Sequence, residues 1–189
     1  MEREVTTTYL EMTGREELRP AKSSEVALEI IQATIPCPEL SRFLYAAVGW
    51  KWFWHSRLSW DYAQWFEHLS RPEVETWVGY VDGTPVGYFE LEGQEAEVEV
   101  AYFGLLPAFV GKRLGGVMLT AALKRAWELN PSRVWVHTCD LDHRSASKNY
   151  EARGFQVYRT ETKVETLPDE ALEPWPGARW RPTRSQRSP

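Results

Sequence analysis

The sequence has almost no cysteine: Cys37 and Cys139 are the only two in 189 residues, and they lie far apart. A disulfide framework is excluded, and a reducing, cytoplasmic setting is expected. No run of about 18 apolar residues exists, so no membrane span is expected and no membrane partner either. Met1 to Glu4 alternate in charge and lack an apolar core, so no secretory leader is expected at the start. Basic charge is not in excess: 22 Lys and Arg stand against 27 Asp and Glu, a net charge of −5. That excludes a chain-wide basic field for nucleic acid. No internal repeat is found. The nucleotide P-loop is absent, because no Gly-Lys-Ser/Thr follows four variable residues, and so is the dinucleotide fingerprint of three spaced glycines. His137, Cys139, Asp140, Asp142 and His143 are of metal-ligating types but lack a paired Cys-x-x-Cys or His-x-x-x-His, so no metal is expected. Cys139 beside His137 reads as a packed thiol ahead of an acyl-carrying nucleophile.

What is present is the composition of a globular protein, 43% hydrophobic and 26% charged, with ten Trp. The chain is of single-domain length. Thr6 to Met12 reads as a strand. Glu25 to Thr34 carries Val26, Ile30 and Ala33 near helical spacing behind Ser24, which predicts a helix ended by Pro36 and Pro38. Glu39 to Val48, ended by Gly49, and Asp61 to Leu69, with Ser59 as its cap, predict two more. The period then changes to two. Val74 to Val81 and Pro85 to Leu91 read as strands joined at Asp82-Gly83, a hairpin signal. Glu95 to Phe103 follows as a strand, with Glu95, Glu97 and Glu99 on one face and Val98 and Val100 on the other. A helix from Leu114 to Leu129 ends at Asn130-Pro131. Then come a strand at Arg133 to Thr138, a short helix at Ala146 to Arg153 ended by Gly154, and a strand at Phe155 to Thr162. The order predicts an α/β fold with a mixed sheet. From Glu170 a Pro- and Arg-rich tail is expected, with Arg179, Arg181, Arg184 and Arg187 solvated.

The stretch from Glu97 to Trp127 carries the chemistry. A strand runs into the turn Val110-Gly111-Lys112-Arg113-Leu114-Gly115-Gly116, which opens a helix at once. Backbone N–H groups at a helix N-terminus, reinforced by the helix dipole, favour an anion, and glycines let a pyrophosphate come close. An ordinary glycine-packed turn is the plain alternative. Downstream lies Asn149-Tyr150-Glu151-Ala152-Arg153-Gly154-Phe155.

Together these two stretches resemble the GNAT superfamily of N-acetyltransferases, in which a Gln/Arg-x-x-Gly-x-Gly/Ala turn precedes a long helix. A later short helix carries a Tyr, then three residues, then Gly-Phe. Val110 to Gly115 occupy the first motif, Tyr150 with Gly154-Phe155 the second, and Leu105-x-Pro107 is similar to the strand end before the family's turn. The resemblance covers residues 74–162. Val110 and Arg113 depart from the motif's Gln/Arg and first Gly, and His143 stands where the family often has Asn.

The resemblance implies one acetyltransferase domain over residues 1–169: a strand and helical acceptor side at 1–73, then an acetyl-CoA-binding core at 74–162. It implies a mostly antiparallel central sheet flanked by helices. Acetyl-CoA is the implied co-substrate, without a metal, held by Phe103, Gly104, Leu105, Gly111, Lys112, Arg113, Leu114, Gly115, Gly116 and His143. Glu99 is the implied base with Glu97 as its competitor, and Tyr150 the implied proton donor to the departing sulfur. Backbone N–H groups near Phe103 to Leu105 would bind the thioester oxygen if the strand bulges there. The acceptor is a primary amine, a small molecule or a peptide, and the resemblance admits a homodimer. The Trp50, Trp52, Trp54, Trp60 and Trp65 cluster reads either as a cap over the sheet or as an acceptor wall. The departures at Val110 and Arg113 keep open a non-catalytic acyl-CoA-binding sensor, and the aromatic cluster and tail an interaction protein.

Overall fold

The computed structural model describes residues 1–24 and 26–178. The tail arginines Arg179, Arg181, Arg184 and Arg187 lie outside the described residues. Seven strands form one sheet: β1 (Glu2–Met12), β2 (Glu29–Ala33), β3 (Val74–Val81), β4 (Thr84–Gln94), β5 (Glu97–Leu105), β6 (Arg133–Cys139) and β7 (Gln156–Thr166). Four helices accompany it: α1 (Pro38–Gly49), α2 (Tyr62–Leu69), α3 (Leu114–Glu128) and α4 (Ala146–Ala152). The strand order is β2-β3-β4-β5-β6-β1-β7. Every adjacent pair is antiparallel except β5 with β6. No helix among the described residues is long and apolar enough to cross a membrane.

Local chemistry explains most of these elements. Asp82 and Gly83 both adopt positive φ, 49° and 73°, as a tight turn between two twisted strands requires. Pro38 starts α1, where its missing N–H costs nothing. Asp61, not Ser59, caps α2. Its carboxylate accepts from the Gln64 N–H at 2.9 Å and the Gln64 side chain accepts from the Asp61 N–H at 2.9 Å, a full capping box.

The expected helix at 25–34 is replaced by β2. Ile30 and Ile31 are β-branched, and residues 29–33 pair along the edge of β3 from Glu29 opposite Tyr80 to Ala33 opposite Thr76. That ladder outweighs a weak helical spacing. Glu95 leaves the strand expected for it and takes φ 54° in the β4–β5 turn.

The sheet has two covered regions. On one face α3 and α4 bury Leu10, Phe89, Leu91, Val98, Val100, Val134 and Val136 against Met118, Leu119, Leu123 and Trp127. On the other, α1 packs Leu44 and Val48 on Val78 and Tyr88, joined by Trp54 and Tyr102. The short α4 is placed by Gly154, whose φ of 112° suits glycine alone, and a Cβ there would collide with the Glu17 carbonyl. Gly154→Ala is therefore expected to destabilise the protein by about 2 kcal/mol or more, read as a lowered denaturant midpoint at unchanged slope.

Candidate functional site

The site exists because β5 and β6 part. Their parallel ladder holds only at Glu97 with Arg133, Val98 with Val134 and Glu99 with Trp135. Beyond Glu99 the β6-facing edge of β5 has no strand partner among the described residues, and a cleft of about 870 Å³ opens between the two. The β4–β5 register slips between Glu90 and Leu91: Leu91 faces Val100 while Glu90 faces Tyr102, leaving Ala101 as the extra residue. The bulge thus lies two residues before the expected Phe103–Leu105 segment. Phe103, Gly104 and Leu105 pair in regular register with Phe89, Tyr88 and Gly87 and line the cleft with their other side. Gly104 is packed so closely that a Cβ would collide with Val48.

Below this edge comes the glycine turn. Gly111 has φ 87° and Arg113, at the N-cap of α3, φ 61°, so the chain reverses sharply into the helix. A Cβ built on Gly111 meets nothing within 4 Å, and one on Gly115 nothing nearer than 3.7 Å. The first turn of a 15-residue helix therefore faces open space with its N–H groups and its dipole. Gly111, Arg113, Gly115 and Gly116 line the cleft. Two of the expected residues turn away: the Leu114 side chain is core, and the Lys112 ammonium lies 5.0 Å from the Phe109 ring centre. Neither is among the residues lining the cleft.

The opposite wall is the β6–α4 segment. Asp142 accepts from the Thr138 hydroxyl at 2.8 Å and the Cys139 N–H at 3.0 Å, fixing the chain as it leaves β6. His143 lines the cleft, accepts at Nδ1 from the Ser145 N–H at 3.2 Å and meets the Trp52 ring edge-on at 5.3 Å. Tyr150, on α4, is 6% exposed and stands between Phe103 and Phe155, with its ring at 6.2 and 5.9 Å from theirs. Burial, and then Asp142, push its phenol well above the ordinary value. It therefore stays protonated at neutral pH. Burial likewise pushes the Cys139 thiol up to about 11, so a thiolate nucleophile is disfavoured there.

The two carboxylates of β5 differ in exposure: the Glu97 side chain is 37% exposed and that of Glu99 11%. Glu97 pairs with Arg133 at 2.8 Å. Glu99 is buried, accepts from Gln94 at 3.2 Å and meets His137 Nδ1 at 3.1 Å. It is not among the residues lining the cleft, whereas His137 is. From the sequence His137 is named only as a member of a metal-type cluster and as the neighbour of Cys139. Asn149 was missed as well: it lines the cleft beside Gly115 and Gly116, signalled only by its place before Tyr150.

The tryptophans divide between the two roles considered for them. Trp65 and Trp50 are buried. Trp52 and Trp54 line the cleft with Tyr45 and Tyr102, and Trp54 meets Tyr102 at 4.9 Å and Tyr45 at 5.6 Å. Behind them Arg57 is buried with its guanidinium 4.4 Å from the Tyr102 ring centre and 2.8 Å from Glu90. Among the described residues, His68, Glu90 and Glu92 gather three ligand-type atoms within 4.8 Å of one another. Glu90 already holds Arg57, so a cation there would meet a fixed positive charge.

A model of the acetyltransferase (GNAT) family matches residues 37–155. A GCN5-related N-acetyltransferase from Kribbella flavida is similar in structure with a TM-score of 0.62 at 16% identity, over 86% of this chain and 59% of that one. The corresponding values for a GCN5-related N-acetyltransferase from Sphaerobacter thermophilus are 0.61, 13%, 91% and 55%. For a GNAT family acetyltransferase from Streptococcus pneumoniae they are 0.52, 19%, 69% and 88%. The chain spans less than two thirds of the first two of these. At such identities the likeness is one of fold. No curated protein matches the sequence.

Proposed function

The chain belongs to the acetyltransferase (GNAT) family, and from that premise we propose that it transfers an acetyl group from acetyl-CoA directly to a primary amine. The observation that carries this reading is the parting of β5 and β6 over a glycine turn that opens α3, with Tyr150 on the facing wall. The fit rests on space as well as type. A diphosphate needs converging N–H donors and no side chain in its way, and Gly111 and Gly115 present open ground at a helix N-terminus. The unpaired edge of β5 would take the amide groups of the pantetheine arm as an extra strand would.

Three needs of the reaction are met by this chain's own groups. The thioester oxygen gains negative charge on attack, and backbone N–H groups near the Ala101 bulge, freed from a regular ladder, would stabilise it. The departing sulfur needs a proton, and the protonated Tyr150 phenol would supply it. The amine arrives as an ammonium, because alkyl amines titrate near pH 10, and a base must remove its proton. Glu99 is buried beside the cleft and reaches it through His137, whose ring lines it. The acceptor would lie against Tyr45, Trp52, Trp54 and Tyr102, a wall suited to an amine with an apolar or aromatic body.

Calorimetry with acetyl-CoA tests the cradle. Gly115→Glu should keep the fold, since its Cβ has room, and place a carboxylate before the diphosphate. The Kd is expected to rise by about 30- to 100-fold, the equivalent of about 2–3 kcal/mol. Equal affinities would remove the turn from the site.

A further inference from the structure

His137, rather than Glu99, faces the acceptor, and we propose that His137 is the group that takes the ammonium proton, with Glu99 acting through it as a positioning residue. The inference rests on the acetyl-transfer reading above and names the base of that same site. Glu99 lies behind His137, its side chain 11% exposed against 47% for the imidazole. One Glu99 oxygen is occupied by Gln94 at 3.2 Å and the other by His137 Nδ1 at 3.1 Å. A carboxylate accepts only, so Nδ1 carries the hydrogen and the lone pair is left on Nε2. Nε2 has no hydrogen-bond partner among the described residues, and His137 lines the cleft on the wall opposite Ala101 and Tyr102.

The arrangement arises from register. Glu99 is paired with Trp135 in the short parallel ladder, so the residue two further along β6 on the same face is His137. Its ring packs in a triangle of tilted rings with Trp135 at 6.1 Å on its own strand and Tyr9 at 6.0 Å on β1, those two being 6.5 Å apart, and the Arg159 guanidinium of β7 lies 4.2 Å from the Tyr9 ring centre. The charged and titratable groups around it are therefore Glu99 from β5, Asp142 beyond the end of β6, Cys139 on β6 as a neutral thiol, and Tyr9 with Arg159 behind it. The bond to Glu99 is the foremost influence, and the net effect raises the imidazole above its ordinary 6.5. A base so tuned matches proton removal near neutrality better than an ordinary imidazole does.

The protons balance. His137 Nε2 takes one proton from the ammonium and passes it to water at its exposed edge. The free amine attacks the thioester carbon, the C–N bond forms and the C–S bond breaks. The nitrogen sheds a second proton as the amide forms, and Tyr150 gives one to the sulfur. These two exchanges cancel through solvent, so one proton is released per amide made.

The test is the pH dependence of kcat, from thiol release with 2-phenylethylamine, putrescine and a free-N-terminal dipeptide. The His137 ring titration is followed by NMR in the same proteins. Wild type should lose rate as pH falls through the raised His137 value, because only the neutral imidazole accepts. His137→Gln should lose about 10²-fold or more in kcat and the acid limb with it, while the Kd for acetyl-CoA stays within about twofold. Glu99→Gln should keep an acid limb but move it, and the NMR titration of His137, to lower pH by the same amount. An acid limb that survives in His137→Gln and vanishes in Glu99→Gln would make Glu99 the direct base and overturn the proposal. So would a His137 titration unmoved by Glu99→Gln. If wild type released no thiol with any of the three amines while binding acetyl-CoA, the transfer reading itself would fall, a result distinct from either.

Discussion

Tyr150→Phe is expected to lower kcat by about 10²- to 10⁴-fold, the range that a positioned proton donor supplies, while the Kd for acetyl-CoA hardly changes. The substitution deletes one oxygen from a ring that is otherwise fixed. Phe103 and Phe155 meet the ring edge-on at 6.2 and 5.9 Å, contacts that a phenylalanine ring would keep. No described residue hydrogen-bonds to that hydroxyl, so nothing inside the protein is orphaned by its loss. Burial keeps the phenol protonated over the neutral range, so the proton is available when the C–S bond breaks. A matched loss of rate and affinity would assign Tyr150 to cofactor binding alone. The measurement is steady-state kcat beside calorimetric Kd for both proteins.

The second large effect concerns stability. Arg57→Met is expected to destabilise the protein by about 3–5 kcal/mol, because it leaves the Glu90 carboxylate buried without its main counter-charge. The two side chains are 10% and 2% exposed and 2.8 Å apart, with His68 completing the site at 3.1 Å. Burial alone would raise the Glu90 carboxyl, but the bonds and charges of His68 and Arg57 outweigh it and hold it below its ordinary value. A carboxylate held low adds stability above the unfolded value, near 4.5, and that stability is lost as pH falls through the lowered folded value. Wild type should therefore lose stability on acidification in that window, and Arg57→Met should lose less of it there. Adding Glu90→Gln to Arg57→Met should recover part of the loss in urea unfolding, since the uncompensated charge is then gone. Because Arg57 also packs on Tyr102, the same substitution should loosen the aromatic wall and raise KM for an apolar amine.

How much of this was readable in the chain depended on the range of the forces involved. The Asp82-Gly83 hairpin, the helix starting at Leu114 and the Tyr150 helix ended by Gly154 are set by neighbours in sequence, and their residues announce them. The Asp61–Gln64 capping box is equally local, and the Gln three residues after Asp61 is the signal that favours Asp61 over Ser59 as the cap. β2 was misread because its pairing partner, β3, lies more than 40 residues on, and an edge ladder leaves no local mark stronger than two adjacent Ile. β1 and β7 each extend beyond their expected ends, since Glu2 opposite Thr166 continues a ladder that neither segment predicts alone.

The site divides the same way. The glycine turn and Tyr150, which line the cleft, each belong to a short motif that the chain displays locally. The contact between Glu99 and His137 was not, because it needs the parallel register of β5 and β6 and a bulge at Ala101 that no residue type signals. Glu99 was singled out as the implied base, and the structure shows it buried beside the cleft; its sequence position says nothing of the ring in front of it.

The central claim, direct acetyl transfer to a primary amine in the cleft between β5 and β6, is tested by one measurement. Wild-type protein is incubated with acetyl-CoA labelled in the acetyl group and with each of a panel of primary amines, and both free thiol and amine product are followed by mass. Thiol and labelled amide are expected in equal amounts from at least one amine with an apolar or aromatic body, with no label left on the protein. Label retained on Cys139 would contradict direct transfer, and acetyl-CoA binding with no amide from any amine would contradict catalysis.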